Sequence, residues 1–236
     1  MIELAHASRH LVVAIKPSGL LTTGEGDSLT RRLQEQLGVK LHASSRLDAE
    51  VSGLVTYARS KRGNAALGEA RQRGEYQREY LGLCAAEPDP AAGIWDAPIA
   101  IDPRDRRLRL ALGEGERGEG ERAAQTRFSV RASCADGAAL RLEPLTGRTH
   151  QLRVHAARAG VPLLGDHRYG GPKRVVLGNG RVVRAARVML HCLRVRVPDA
   201  EGGWLSLVSE PPADLSRLWV SLGGVAAELT ARRETR

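Results

Sequence analysis

The apolar residues of this chain come in short runs, and that spacing constrains its fold more than any other feature. Leu11-Val12-Val13-Ala14-Ile15 is continuous and closed by Lys16-Pro17-Ser18-Gly19, which predicts a buried strand and a turn. Gly53 to Ala58 and Tyr76 to Ala86 read the same way, and Arg107 to Leu112, Thr126 to Val130 and Ala139 to Pro144 alternate as half-buried strands do. Val188 to Val197 predicts a long strand, paired with Trp204 to Val208 across a Gly202-Gly203 turn. Helical spacing is rarer. Leu29, Leu33 and Leu37 recur every four residues between Asp27-Ser28 and Gly38. Ser60 opens a second helix that Gly74 closes, a third runs from about Thr149 to Ala159, and a fourth from Asp214 to Leu222. Glu87 to Pro103 predicts a loop with a short extended piece from Ile94 to Ile101.

Many of these connections are too short for the crossovers that parallel strands require. The expected fold is therefore α+β, with a mixed, largely antiparallel central sheet flanked by helices and loops. No composition break marks a linker across the 236 residues, so a single domain over 1–236 is expected. Gly113 to Arg122 carries only Gly, Glu and Arg, predicting a mobile hairpin tip or disorder, and the last polar residues are expected to fray.

Composition narrows the function. The net charge is +9 and the pI about 10.2, the footprint of a chain that neutralises phosphates. Arg104-Asp105-Arg106-Arg107-Leu108-Arg109 and Arg31-Arg32 concentrate that charge. Aromatics are only 3% of residues, too few for broad base-stacking platforms. Cys84, Cys134 and Cys192 are far apart, which fits buried thiols in a reducing compartment. There is no signal-peptide pattern and no run near the roughly 20 apolar residues a membrane span needs, so a cytoplasmic protein without membrane contact is expected.

Several chemistries find no support. The chain has no phosphate loop ending in Gly-Lys-Ser/Thr and no Gly-x-Ser-x-Gly elbow. His150 and His155 lack the four-residue spacing of a helical zinc pair. Asp166, in Gly165-Asp166-His167-Arg168-Tyr169-Gly170, reads as a turn-forming residue. The densest polar constellation is Thr146-Gly147-Arg148-Thr149-His150-Gln151-Leu152-Arg153-Val154-His155, where a strand ends, glycine turns the chain and a helix begins. Thr146 or Thr149 could cap that helix, and Arg148 with the free amides could hold phosphate. Asp48, in Arg46-Leu47-Asp48, precedes a strand; taken alone it is a loop aspartate.

Taken together, these pieces resemble a known family. Ser45-Arg46-Leu47-Asp48 with Ser52-Gly53-Leu54 resembles the catalytic motif of the RNA pseudouridine synthases, in their RluA-like branch. Lys16 to Gly19, Glu79-Tyr80-Leu81, Thr146 to His155 running into Pro162 to Asp166 and Tyr169-Gly170, and Leu190-His191 follow in that family's order. The match covers about 10–212. It implies a stand-alone catalytic domain with no separate N-terminal RNA-binding domain, acting as a monomer on ribosomal or transfer RNA. Asp48 would be the nucleophile, Tyr80 would stack on the base and serve as a candidate general base, and Arg153 would pair with the catalytic aspartate. Arg46, Arg148, His150 and Gln151 would contact RNA. An isomerisation within one nucleotide requires no metal and no organic cofactor. Three positions depart from the family pattern: Ser45 stands for His, Ala49 for Arg and Val51 for Thr. They motivate the alternative of a catalytically weak RNA-binding or RNA-folding protein on the same scaffold.

Overall fold

A computed structural model describes residues 1–230; the expected fraying of the last residues lies outside them. The chain runs through β1 (Leu4–Ala7), β2 (Leu11–Lys16), α1 (Leu29–Leu37), β3 (His42–Ala43), β4 (Ser52–Ala58), α2 (Lys61–Gln72) and β5 (Gln77–Cys84). There follow β6 (Ala92–Trp95), β7 (Ile99–Asp102), β8 (Asp105–Ala111), β9 (Thr126–Cys134), β10 (Gly137–Pro144) and α3 (Gln151–Arg158). The last elements are β11 (Arg174–Val176), β12 (Val182–Arg184), β13 (Leu190–Pro198), β14 (Trp204–Val208) and α4 (Ala213–Ser221). Most strand pairings are antiparallel, and β4 pairs with β13 in parallel. The protein is thus α+β, with a mixed, mostly antiparallel sheet and four α-helices among the described residues.

These residues form two compact units. The first holds Met1–Glu79 and His191–Pro211, the second Tyr80–Leu190 and Pro212–Thr230. The chain passes between them inside β5, at the head of β13 and just before α4, so no stretch of sequence serves as a linker.

In the first unit, β2 pairs along one edge of β4, from Leu11 opposite Ala58 to Lys16 opposite Gly53. The other edge takes β3 at Tyr57 and Ala58 and β13 at Ser52 and Gly53. Every residue of β4 is buried, which explains a continuous apolar run rather than an alternating one. Gly53 is obligatory. Its φ is +112°, and a Cβ there would lie 2.3 Å from the carbonyl oxygen of Cys192. The helices end as their sequences predict: the Ser28 hydroxyl accepts from Arg31 N and the Ser60 hydroxyl from Gly63 N, and Gly38 closes α1 in the left-handed region.

In the second unit, β5, β10, β9 and β6 pair in that order, all antiparallel. The loop expected over 87–103 contains two short strands, β6 and β7. The expectation for 113–122 is overturned. Ile101 N donates to Glu119 O at 2.9 Å, and Ile99 and Arg122 exchange two backbone bonds of 2.9 Å. A Cβ on Gly118 would meet that of Ala100 at 2.6 Å. Backbone bonds and a close glycine fold this segment back on β7 without burying one apolar side chain of its own.

Candidate active site

Within the first unit, Asp48 sits in the loop between β3 and β4, half-buried, while Arg46 is exposed. The backbone on either side of Asp48 is pinned. The Thr22 hydroxyl accepts from Leu47 N at 3.0 Å and donates to Leu47 O at 2.7 Å. The Ala49 carbonyl accepts from Gly19 N at 2.7 Å and from Lys16 Nζ at 3.0 Å. Lys16 is fully buried, and its ammonium also donates to Pro17 O at 2.9 Å and Leu20 O at 2.7 Å. Three carbonyls match the three hydrogens of an ammonium, and a buried cation needs such partners. Val51 N closes the loop onto Asp48 O at 3.1 Å.

None of these bonds uses the side chains that depart from the family pattern. Ala49 contributes its carbonyl, Val51 is buried, and the Ser45 hydroxyl accepts from Thr56 N at 2.9 Å. Beyond the loop, Ser52 Oγ lies 2.9 Å from His191 Nδ1, and His191 Nε2 lies 2.9 Å from Ser209 O. A carbonyl only accepts, so Nε2 carries a hydrogen, and in the neutral ring Nδ1 accepts from the Ser52 hydroxyl. This buried bond ties β4 to the parallel β13.

In the second unit, Tyr80 lies on β5 opposite Leu142 and is 6% exposed. Arg153, on α3, makes a fork with Asp166: Nε donates to Oδ2 and Nη2 to Oδ1, each at 2.7 Å. The turn reading of Asp166 thus accounts for its backbone only; its carboxylate binds an arginine. Tyr169 lies beneath the guanidinium, 5.0 Å from ring centre to Cζ, and its hydroxyl bonds His150 Nδ1 at 2.6 Å and Arg109 N at 3.0 Å.

The start of α3 corrects another expectation. Neither Thr146 nor Thr149 caps it; the N-cap is His150, with no side-chain cap bond. His150 has φ of +57°, the one non-glycine residue in the left-handed region among those described. Such strain persists only where surrounding contacts impose it. Those contacts come from Gln151, whose Oε1 accepts from the Thr146 hydroxyl at 2.7 Å and Arg148 N at 3.0 Å. Its Nε2 donates to Gln125 O at 2.8 Å and Thr126 Oγ1 at 3.0 Å. Thr126 in turn donates to His155 Nδ1, and His155 Nε2 donates to Ala97 O, both at 2.9 Å. Burial holds His155 below the ordinary imidazole range, which this neutral chain of bonds requires.

Arg153, His150, Gln151 and Arg148 therefore gather at the start of α3, with Tyr80 elsewhere in the same unit and Asp48 and Arg46 in the other. Arg148 is exposed, its Nε donating to Ala123 O at 2.9 Å. Burial pushes the Cys84 thiol up to about 12, which makes it inert. No group of three or more His, Cys, Asp or Glu side chains among the described residues is arranged to hold a metal ion, and none of their helices is long and apolar enough to cross a membrane. Sequence reasoning missed Thr22 as a clamp on the Asp48 loop and, in the other unit, Asp166 and Tyr169 as partners of Arg153. Tyr169-Gly170 carried a motif signal, while Thr22 carried none.

The family model for RNA pseudouridylate synthase matches residues 10–158. The chain belongs to that family. Its enzymes are intramolecular isomerases. The dual-specificity RNA pseudouridine synthase RluA of Escherichia coli K12 is 31% identical over 220 residues, spanning 90% of this chain and 94% of that protein. The Salmonella typhi protein of the same name is 30% identical over the same shares. A rice chloroplastic protein, RNA pseudouridine synthase 2, is 39% identical over 72% of this chain, which spans 37% of that protein's length. Among solved structures, human RNA pseudouridylate synthase domain containing 4 has the same fold, with a TM-score of 0.74 at 24% identity over 94% of this chain and 93% of that one.

Proposed function

We propose that this chain isomerises a specific uridine to pseudouridine in structured ribosomal or transfer RNA, with Asp48 as the nucleophile. The observation that carries this reading is the Asp48 loop. Thr22, Lys16 and Gly19 lock the backbone on both sides of a half-buried carboxylate, in a chain whose family performs this reaction. A preorganised carboxylate on a fixed loop is what nucleophilic catalysis needs.

The uridine leaves its stack to reach the site, as bases do in other base-modifying enzymes. Asp48 assists cleavage of the bond between N1 and the sugar carbon, and the uracil turns. A bond then forms between that sugar carbon and C5, C5 loses its proton, and N1 gains one. Tyr80 stacks on the base and is the group we assign to take the C5 proton. Arg153 supports the ionised carboxylate chemistry. Arg46 and Arg148, both exposed, bind RNA phosphates, and His150, two residues from Arg148, contacts the RNA as well. Gln151 serves RNA indirectly, by building the turn that presents Arg148. The whole chain acts as one catalytic domain and as a monomer, in the cytoplasm. The RluA relatives are named dual-specificity RNA pseudouridine synthases, so more than one RNA should be tried, ribosomal and transfer RNA first.

The test is to express wild type and Asp48→Ala in cells lacking the native enzyme and to map pseudouridine in total RNA. Wild type should restore at least one site that the variant does not. If both restore the same sites, or neither restores any, the proposal is wrong, and RNA binding that persists in both would favour the catalytically weak binding protein.

A further inference from the structure

The turn that holds Asp166 uses its backbone. Asp166 N donates to Leu163 O at 3.0 Å, and its carbonyl accepts from Tyr169 N and Gly171 N. A turn aspartate ordinarily bonds its own neighbouring backbone. This carboxylate instead reaches back thirteen residues to Arg153. Both side chains are nearly inaccessible, at 3% for Arg153 and 1% for Asp166. Burying two charges is costly, and an apolar pair of similar volume is often as stable. Stability alone does not account for the pair.

Its geometry suggests what does. Asp166 binds the edge of the guanidinium formed by Nε and Nη2, at 2.7 Å on both sides. A fork of this kind fixes the plane of the group as well as its place. The Tyr169 ring restrains the same plane from one face, and Tyr169 is held by His150 and the backbone of Arg109. The turn itself cannot drift, because Gly165 and Gly171 sit where a Cβ would strike the carbonyl oxygens of Arg187 and Leu163.

We infer that Asp166 is a positioning residue: it fixes the place and plane of the Arg153 guanidinium, and Arg153 performs its proposed role only from that fixed plane. This rests on the roles proposed above for Asp48 and Arg153. Asp166 touches no reacting atom and acts through Arg153, with Tyr169 and His150 completing the frame.

The test compares wild type, Asp166→Asn and Asp166→Glu by tritium release from ribosomal and transfer RNA transcripts carrying 5-tritiated uridine, under single turnover, with RNA affinity measured in parallel. Asp166→Asn should release tritium more slowly by on the order of 10–100-fold, with unchanged RNA affinity. Asp166→Glu should recover part of the loss. A merely structural role would lower rate and affinity together or not separate them. Asp166→Asn at the wild-type rate, or slowed only in proportion to lost affinity, overturns the inference. If Asp166→Asn does not fold, wild type decides the matter: the Arg153 Nε–H signal, assigned with Arg153→Lys, should exchange slowly with solvent and show restricted guanidinium rotation. A freely rotating, rapidly exchanging group overturns the inference. Active wild type, inactive Asp48→Ala and normal Asp166→Asn would defeat this inference alone; release that Asp48→Ala does not diminish would defeat the function it rests on as well.

Discussion

Arg153–Asp166 and Arg106–Glu119 are two arginine–carboxylate forks of nearly the same bond lengths, 2.7 and 2.7 Å on the Nε–Nη2 edge in the first and 2.7 and 2.6 Å on the Nη1–Nη2 end in the second. They differ in water. The first pair is 3% and 1% exposed, the second 69% and 62%. Solvent and salt screen the exposed fork, so it exchanges readily with other ions, whereas the buried fork is shielded from both. Distance alone therefore says little about what an ion pair does. The arginine-rich stretch around Arg106 is not bare positive charge either. Arg104 pairs with Asp102, Arg106 with Glu119 and Arg107 with Asp105. The bond from Arg107 holds the Asp105 carboxyl down to about 2, and Arg106 lowers Glu119, so these acids stay ionised at neutral pH.

The largest expected effect tests the buried fork. Asp166→Ala leaves a buried guanidinium without that carboxylate and should cost about 3–5 kcal/mol in denaturant unfolding, while Glu119→Ala leaves the midpoint where it was. Equal effects from the two substitutions would break the comparison. A neutral clamp should fall between them. Thr22→Val removes both bonds to Leu47 and leaves buried backbone groups unmatched, so stability should drop by about 1–3 kcal/mol, with slower pseudouridine formation at unchanged RNA affinity.

Next comes pH. His155 is held below its ordinary value of 6.5 by burial, so the folded state prefers it neutral. Its contribution is complete above about 6.5 and is lost as pH falls below that, because the unfolded chain then binds the proton more readily. Stability measured from pH 7.5 to 5 should decline, and His155→Gln should flatten that part of the curve; an unchanged slope would contradict the neutral Gln151–Thr126–His155 chain. The smallest effect belongs to the exposed fork. Glu119→Gln frees Arg106 and should tighten RNA binding about two- to threefold at low salt, a gain that disappears as salt rises.

Much of this molecule was legible in its residues, for reasons that also explain the rest. Val12 or Val55 announces a buried strand because burial on both faces demands a continuous apolar run. Asp48 stood out through the order of the motifs around it. Gly113 to Arg122 misled because its order comes from backbone bonds to Ile99 and Ile101, which leave no mark on side-chain composition. Asp166 misled because a turn gives an aspartate a sufficient local use, and its partner lies on another element. The chain from Gln151 through Thr126 to His155 joins residues up to 29 apart, which no local pattern encodes. The two units were invisible because the chain passes between them within β5 and at the head of β13.

The most direct measurement is tritium release from RNA carrying 5-tritiated uridine, by wild type and by Asp48→Asn at matched RNA occupancy. The account predicts stoichiometric release at a defined uridine by wild type and none by Asp48→Asn, which should bind the same RNA equally well. Release that survives the loss of the Asp48 carboxylate, or wild type that binds RNA and releases nothing, would contradict it.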